Sequence, residues 1–259
     1  MKIIVCRNLK KDDFHIVEEV VQKLRNFGHN AEYSEAVHGN CDMIITIGGD
    51  GTILHHGKNA AKLNKPLIGI NTGTLGFMTG LEIGELDLLK RLGSKKNYSI
   101  CSRMMFDVEV NNETYLALND AVFLKDLDSK LPQFKVSASG STVSEIRADG
   151  IILSTPTGST AYALSAGGPI IEPWLNCIEF TPICAHTLFG RPMIFSAENP
   201  VTVEFDRKVF LSVDGDKGIK LAKNGLATIK KSSLKLSLID LKGGSFYTSV
   251  HDKLMKPLK

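Results

Sequence analysis

A short apolar run that ends in a glycine-rich turn constrains the fold of this chain more than any other stretch. Residues 43–47 are mostly β-branched and predict a buried strand, and residues 52–61 predict the helix that follows it. The Gly-Gly-Asp-Gly segment at 48–51 therefore lies at a strand-to-helix turn, where backbone N–H groups suit a phosphate. Asp50 would repel a bare phosphate, so we expect its carboxylate to face a metal ion, a sugar hydroxyl or both.

Composition and charge exclude several classes of protein. The chain has 259 residues, of which 43% are hydrophobic and 23% charged, and this predicts two modest globular domains. The net charge of +3 is spread along the chain, which does not suggest nucleic-acid binding. The five cysteines form no CxxC pair, and no apolar run approaches the ~20 residues that span a bilayer. Because the chain also opens directly into a strand with no signal peptide, we expect a cytoplasmic protein without a membrane segment.

Hydrophobic periodicity predicts two domains of different class. Residues 1–97 alternate strands with helices, which indicates an α/β, Rossmann-like domain with a parallel sheet. Residues 98–244 are dominated by short alternating strands and predict a β-rich, sandwich-like domain. In the segment 245–259, apolar residues recur every four positions, so we expect a short C-terminal helix that packs back on the first domain.

Two further stretches are rich in groups that bind ligands. Residues 71–77, Asn-Thr-Gly-Thr-Leu-Gly-Phe, form a second glycine loop at the same strand edge as Asp50, where parallel sheets bind their ligands. Residues 147–169 place hydroxyl groups close together before a predicted helix start, which suits phosphate or ribose. Any one of these hydroxyls could equally be a helix cap. These hydroxyl-bearing residues are Ser154, Thr155, Thr157, Ser159, Thr160 and Ser165.

Taken in order, these motifs resemble those of the NAD kinase family. The matching stretches are GGDGT, NTGTLGF, LND, RADGIILSTPTGSTAYALSAGGP, PICAHTL and VDGD. GGDG alone is shared with diacylglycerol kinases, sphingosine kinases and phosphofructokinases, whereas the long STPTGSTAY stretch is specific. The resemblance implies two domains that enclose the site between them. It also implies phosphoryl transfer from ATP, dependent on Mg²⁺ or Mn²⁺, to the 2′-hydroxyl of the adenosine ribose of NAD. NADP and ADP would be the products, and the enzyme would be a homodimer or a homotetramer.

The resemblance assigns roles to residues of the first glycine turn and its surroundings. Asp50 corresponds to the general base that accepts the proton of the 2′-hydroxyl. Gly51, His55 and Phe77 fall where the family contacts NAD, although a histidine on a helix surface is the simpler interpretation of His55. The residues expected near the phosphates of ATP are Gly48, Gly49 and Thr52. No protein ligand set for a metal is visible in the sequence.

Further roles fall in the predicted β-rich domain. Asn119 and Asp120 resemble a pair that holds ribose hydroxyls, Arg147 resembles the arginine that meets the added 2′-phosphate, and Asp149 resembles the acceptor of the adenine amino group. Without the resemblance, Asn119-Asp120 would be a turn and Arg147 with Asp149 a surface ion pair. The adenosine half of NAD is expected at Thr160, Ala161, Tyr162, Ala163, Leu164 and Ser165.

Two further motif positions have simpler interpretations. His186 matches a family histidine but follows Ala185, where the family often has proline, and a structural histidine is the simpler interpretation. Asp214-Gly215 matches a family motif and also has the composition of a hairpin turn.

Other functions remain open on the residues alone. A lipid or sphingoid-base kinase would share the glycine turn, and the hydroxyl-rich segment argues against it. A non-catalytic module that senses NADP would not need Asp50. A Rossmann dehydrogenase is disfavoured because no glycine fingerprint follows the first strand.

Overall fold

The computed structural model describes residues 1–9, 13–73, 76–127, 129–187, 190–243 and 246–255. Asp12, Thr74, Leu75, Leu188 and Ser245 belong to the motifs and segments named above and lie outside the described residues. Contacts divide the chain into two units, one comprising Met1–Ser102 with the segment from Lys235 onward, the other Arg103–Leu234. The last strand, Gly225–Asp240, contributes residues to both units.

The first unit is an α/β unit whose elements alternate along the chain. They are β1 Lys2–Arg7, α1 Phe14–Asn26, β2 Asn30–Tyr33, β3 Met43–Ile47, α2 Asp50–Lys62, β4 Leu67–Asn71 and β5 Leu81–Glu82. The central strands are parallel in the order β2-β1-β3-β4, with Ile3 opposite Met43 and Ile45 opposite Ile68. The predicted parallel α/β fold is confirmed.

Burial in the first unit follows the predicted apolar pattern. Strands β3 and β4 are buried at every residue, as expected for strands covered on both faces. Helix α1 buries Val17, Val20 and Leu24, which lie on one face at helical spacing. Because both strands end at the same edge of the sheet, the turn after β3 and the loop after β4 are neighbours.

Residues Ile83–Gly93 form a 3₁₀ helix, with Leu86, Leu89 and Leu92 buried. The sequence predicts a helix here but not its type. The three-residue spacing of the leucines matches the period of a 3₁₀ helix, in which side chains at i and i+3 eclipse. Glu82 and Glu85 form a capping box at its start.

The second unit is built from antiparallel strands. In chain order these are β6 Ser99–Val110, β7 Glu113–Ala117, β8 Asp120–Lys125, β9 Gln133–Ala138, β10 Ser141–Arg147, β11 Gly150–Ser154, β12 Cys177–Ile183, β13 Met193–Ser196, β14 Val201–Phe205, β15 Val209–Val213, β16 Ile219–Leu221 and β17 Gly225–Asp240. One sheet contains β10-β9-β14-β17 with the β6–β7 hairpin, and the other has the order β13-β12-β11-β8-β15-β16.

One apolar core holds these two sheets together. Phe134 and Val203 come from the first sheet, and Phe123, Ile151 and Leu211 from the second, all fully buried. This arrangement confirms the predicted β-rich sandwich.

The outer face of the second sheet carries a short helix. Helix α3, Tyr162–Ser165, follows the 3₁₀ turn Gly158–Thr160, and its Ala163 packs with Val122 and Ile152. Strand β11 is therefore covered on both faces, and all five of its residues are buried.

The C-terminal segment forms helix α4, Phe246–Val250, and none of the residues in this helix is buried. Its aromatic rings at Phe246 and Tyr247 contact each other edge to face, with centroids 5.8 Å apart. In the described part of the chain no helix is both long and apolar enough to cross a membrane.

Candidate functional site

Asp50 is the first residue of helix α2, and the adjacent loop fixes its carboxylate. The N–H of Phe77 donates to Oδ2 at 2.7 Å, and the N–H of Met78 donates to Oδ1 at 3.0 Å. Each carboxylate oxygen can accept more than one hydrogen bond, so both keep capacity for a further donor. Asp50 is half-buried. The geometry therefore presents an oriented carboxylate that can still accept a proton from an alcohol.

The close approach of this loop depends on Gly76. A Cβ atom at position 76 would lie 2.1 Å from Oδ1 of Asp50, closer than any real Cβ contact. Phe77, whose N–H supplies one of the two bonds, is half-buried. The sequence marks the second glycine loop as ligand-binding, and its described part also serves to hold Asp50.

The glycine turn before Asp50 is shaped by one tight contact. Gly48 has φ +143°, and a Cβ there would lie 2.1 Å from the Thr52 hydroxyl, so only glycine fits. The N–H of Gly48 donates to the carbonyl of Ile70 at 2.9 Å. N–H groups in the first turn of a helix have no acceptor within the helix. The N–H of Thr52 donates to the carbonyl of Gly49 at 2.9 Å, which leaves those of Asp50 and Gly51 for an anion.

Thr52 and Gly51 differ in exposure. The Thr52 hydroxyl is buried and has no hydrogen-bond partner among the described residues, whereas Gly51 is exposed and has open space beside it. Gly49 is the N-cap residue of α2 and also has open space beside it. The turn therefore has room for a ligand at its outer side.

The two histidines of α2 have different surroundings. His55 is exposed, and its ring contacts that of His56 edge to face with centroids 4.8 Å apart. His56 is buried, its Nε2 lies 3.4 Å from the carbonyl of Arg7, and burial lowers its pKa. His55 alone is thus accessible to a ligand at this turn.

In the second unit, Asn119 directly precedes β8 and Asp120 is the first residue of that strand. Both are buried, with 7% and 5% of their surface exposed. The side-chain oxygen Oδ1 of Asn119 is buried and has no hydrogen-bond partner among the described residues. A buried polar atom without a partner costs about 1–3 kcal/mol. A ligand that donates a hydrogen bond, such as a ribose hydroxyl, would remove this cost.

Most hydroxyls of the 147–169 segment bond to backbone rather than facing outward. Ser159 donates to the carbonyl of Pro156 at 2.8 Å and accepts the N–H of Ile171 at 3.0 Å, and Thr160 donates to the carbonyl of Thr157 at 3.3 Å. These bonds give Ser159 and Thr160 a structural role within their own loop. The Thr157 hydroxyl is buried and lacks a partner within the described ranges.

The hydroxyl-rich loop approaches Asn119 closely at Gly158. A Cβ there would lie 2.2 Å from the carbonyl oxygen of Asn119 and 2.6 Å from the Ser154 hydroxyl. The N–H of Thr155 donates to the same Asn119 carbonyl at 2.8 Å. The fold therefore brings Asn119 and the start of the STPTGSTAY stretch together, as a common ligand site requires.

Residues 160–165 present a mixed surface. Tyr162 and Ser165 are exposed, and Thr160, Ala161 and Leu164 are half-buried. The side chain of Ala163 is fully buried in the core, and its carbonyl accepts the N–H of Gly168 at 2.9 Å. The exposed ring of Tyr162 offers a face on which a base could stack.

Arg147 is the last residue of β10 and Asp149 directly precedes β11, and the two residues differ in their partners. Arg147 is exposed, and its carbonyl accepts the N–H of His186 at 2.7 Å. Asp149 forms an ion pair with Lys125 at 2.6 Å, a partner that the sequence pattern does not indicate. His186 is exposed, and the bond that it makes to Arg147 comes from its backbone rather than from its ring.

Within the described ranges, no group of three or more His, Cys, Asp or Glu side chains is placed to hold a metal ion. The carboxylate of Asp50 and the open helix N-terminus beside it are the features of the first unit that fit a cation carried on phosphate groups, since Mg²⁺ usually binds one or two carboxylates together with substrate phosphates.

Two family models match most of this chain. Residues 10–90 match the model described as the ATP-NAD kinase N-terminal domain, and residues 118–241 match the ATP-NAD kinase C-terminal domain. An NAD kinase of Caldanaerobacter subterraneus is 35% identical over 280 residues, covering 98% of this chain and 98% of that protein. An NAD kinase of Symbiobacterium thermophilum is 37% identical over 225 residues, covering 83% and 79%.

Solved structures show the same similarity. An NAD kinase from Archaeoglobus fulgidus in complex with ATP superposes with a TM-score of 0.81 at 28% identity, covering 98% of this chain and 99% of that one. Yeast NADH kinase complexed with NADH gives a TM-score of 0.85 at 22% identity, covering 98% and 87%, and supports the fold alone.

Proposed function

The chain belongs to the NAD kinase family, whose members make NADP by transferring a phosphoryl group from ATP to NAD, and we propose that Asp50 is its general base. The observation that carries this role is the pair of backbone N–H bonds from Phe77 and Met78 to the Asp50 carboxylate. These bonds fix the carboxylate in one orientation and leave lone pairs on both oxygens. Asp50 then accepts the proton of the 2′-hydroxyl as that oxygen attacks the γ-phosphorus of ATP, and ADP leaves as the bond from the γ-phosphorus to the β,γ-bridging oxygen breaks.

The phosphates of ATP lie at the turn that precedes Asp50. Gly49 and Gly51 have open space beside them, so phosphate oxygens can approach the first N–H groups of α2. The buried Thr52 hydroxyl supplies a further donor or acceptor. The Asp50 carboxylate and the phosphate oxygens of ATP would hold a divalent cation, Mg²⁺ or Mn²⁺, which would neutralise charge on those oxygens.

The acceptor, NAD, is bound by the second unit. The unpaired Asn119 oxygen accepts from a ribose hydroxyl, which would satisfy a buried atom that otherwise has no partner among the described residues. Tyr162 stacks on the adenosine half of NAD, and the exposed Arg147 guanidinium meets the 2′-phosphate of the product. Asp149 accepts from the adenine amino group while Lys125 holds its carboxylate in place.

Assembly and location form the final part of the proposal. We expect a homodimer or homotetramer, because the second unit exposes apolar side chains at Ile170, Trp174 and Leu175. All five cysteines are free thiols, which suits a reducing, cytoplasmic location.

The decisive experiment incubates the purified protein with ATP, Mg²⁺ and NAD, and measures NADP with an NADP-specific dehydrogenase. Asp50→Asn is expected to abolish turnover while NAD still binds, because the amide cannot accept the proton. The matched control is Asp240→Asn, since the Asp240 carboxylate also accepts two backbone N–H bonds, from Lys242 at 2.8 Å and Gly243 at 3.0 Å.

The control variant should keep wild-type turnover. Full turnover of Asp50→Asn would remove Asp50 from the mechanism. Tight NADP binding without any kinase activity in the wild type would favour a sensor of NADP instead.

A further inference from the structure

The carboxylate of Asp214 is bonded to three consecutive backbone N–H groups. Oδ2 accepts from Leu118 at 2.9 Å, while Oδ1 accepts from Asn119 at 2.7 Å and from Asp120 at 3.1 Å. These residues are separated from Asp214 by 94 to 96 positions in the sequence. One side chain thus holds the backbone of the segment that carries Asn119 and Asp120.

The carbonyl side of the same segment is bonded by other residues. The Thr155 hydroxyl donates to the carbonyl of Leu118 at 2.5 Å, and the Thr155 N–H donates to that of Asn119 at 2.8 Å. The N–H of Asp214 itself donates to the carbonyl of Asp120 at 2.9 Å. The segment 118–120 is therefore bonded through both its N–H and its C=O groups, and the carboxylate of Asp214 accepts all three of its N–H bonds.

The backbone at Asp214 is in a conformation that most residues avoid. Its φ is +53°, and that of Gly215 is +75°, as in a tight hairpin turn. Asparagine or glycine would form such a turn as well or better. The turn alone does not explain an aspartate here, whereas an ionised carboxylate, which only accepts hydrogen bonds, suits three N–H donors.

We propose that Asp214 is a positioning residue for NAD, acting through Asn119 and Asp120. This inference rests on the proposed function, in which these two residues bind the dinucleotide. The buried, unpaired oxygen of Asn119 can meet a ribose hydroxyl only if the backbone of 118–120 is fixed. Asp214 fixes it from the neighbouring strand, because it directly follows β15, which pairs with β8.

Asp214→Asn tests this role with little change in shape. Asparagine tolerates positive φ, so the turn is preserved, but its amide group keeps one acceptor oxygen and places N–H donors against a backbone N–H. We expect KM for NAD to rise by about tenfold or more, because one charge-assisted hydrogen bond is replaced by two facing donors. KM for ATP should stay within about twofold of the wild type, because the phosphates of ATP are proposed to bind at the turn before Asp50. A uniform loss of folded protein would lower the apparent kcat and leave both KM values unchanged, so it would not raise KM for NAD alone.

The matched control is Asp206→Asn. The Asp206 carboxylate accepts the N–H of Gln133 at 2.8 Å, so this variant removes a bond of the same kind elsewhere in the second unit. Its KM values should match those of the wild type. Hydrogen exchange at the amides of Leu118, Asn119 and Asp120 should accelerate in Asp214→Asn and remain slow in Asp206→Asn.

Asn119→Ala separates failure of this inference from failure of the proposed function. If Asn119→Ala leaves KM for NAD unchanged, the assignment of NAD to this segment falls. If Asn119→Ala raises KM for NAD and Asp214→Asn does not, only the positioning role of Asp214 falls.

Should Asp214→Asn fail to fold, Asp214→Gly, which also relieves the positive φ, replaces it. Loss of folding in both variants would overturn the inference in favour of a purely structural role.

Discussion

A Cβ atom built on Gly76 would lie 2.1 Å from Oδ1 of Asp50, so the carboxylate occupies the space where any other side chain would begin. The next two residues, Phe77 and Met78, donate their N–H groups to the same carboxylate. The position of the proposed base is therefore set by a loop that lies outside its own helix.

Gly76→Ala is expected to lower kcat by about 100-fold, because the added methyl group must displace either the carboxylate or the loop that holds it. Binding of NAD, measured directly, should fall much less than kcat, since Asn119, Arg147 and Tyr162, which bind NAD in the proposed function, lie in the second unit. Gly84→Ala is the control, because a Cβ at Gly84 meets no atom within 4 Å. Wild-type kcat in Gly76→Ala would show that Asp50 need not be held this tightly.

Gly158→Ala should affect NAD rather than the base. Its Cβ would lie 2.2 Å from the Asn119 carbonyl oxygen, so the loop and the Asn119 segment must move apart. We expect KM for NAD to rise about tenfold and the free energy of unfolding to fall by about 1–3 kcal/mol, the usual cost of overpacking.

Gly218→Ala provides the comparison for that variant, since its Cβ would make only ordinary contacts with Phe210 at 3.7 Å. Steady-state kinetics and urea unfolding of both variants measure the two effects. Equal KM values for NAD in the two variants would contradict a close link between Gly158 and the NAD site.

The sequence predicts local elements well where one physical signal dominates. Strands β14 and β15 match the short strands predicted for residues 98–244, and every second residue in each of them is buried. The turn that carries Asp50 is equally local, since its glycines follow directly on a buried strand. The helix after it begins at Asp50, two residues earlier than predicted, because a glycine such as Gly51 does not indicate a helix.

Strand β12 shows why other parts escape such prediction. Its sequence includes Pro182 and the fully buried Glu179, and both residue types argue against an interior strand.

The contacts of Gly76 with Asp50 and of Asp214 with Asn119 cannot be predicted from the sequence for a different reason. They join residues 26 and 95 positions apart, and no periodic pattern connects such distant positions.

Arg147→Ala is expected to weaken the binding of NADP much more than that of NAD. The exposed guanidinium is free of the ion pair that Asp149 makes with Lys125, and in the proposed function it meets the 2′-phosphate that only NADP carries. We expect the dissociation constant for NADP to rise about tenfold or more, because a charge-assisted hydrogen bond is lost. The dissociation constant for NAD should change much less. Calorimetric titration with both dinucleotides measures the ratio.

Lys223→Ala removes one exposed positive charge from the same unit and controls for a general effect of charge. Its NADP affinity should remain close to that of the wild type. Equal losses of NAD and NADP affinity in Arg147→Ala would place the guanidinium elsewhere on the dinucleotide.

Glu179 is a fully buried carboxyl group beneath the turn that ends helix α3. A Cβ at Gly168 would lie 1.9 Å from its Oε1, and that oxygen accepts the Thr181 hydroxyl at 2.8 Å. Its other oxygen has no hydrogen-bond partner in the described part of the chain. Burial raises the pKa of Glu179 to about 6, only partly opposed by the bond from Thr181.

Glu179 should therefore make the protein less stable as pH rises. The folded state holds the proton more tightly than the unfolded state, whose pKa is 4.5, so the stabilisation is complete below pH 4.5 and is lost as pH rises through 6. The total is about 2 kcal/mol, of which about 1 kcal/mol is lost between pH 5 and pH 8. Glu179→Gln, which carries no titratable group at this position, should gain stability relative to the wild type by that amount over this range.

Urea unfolding at several pH values measures the difference in stability. In Thr181→Val the pH at which half of this difference has developed should be higher, because the bond that lowers the pKa of Glu179 is removed. A difference between Glu179→Gln and the wild type that does not vary with pH would mean that Glu179 keeps its charge in the folded protein.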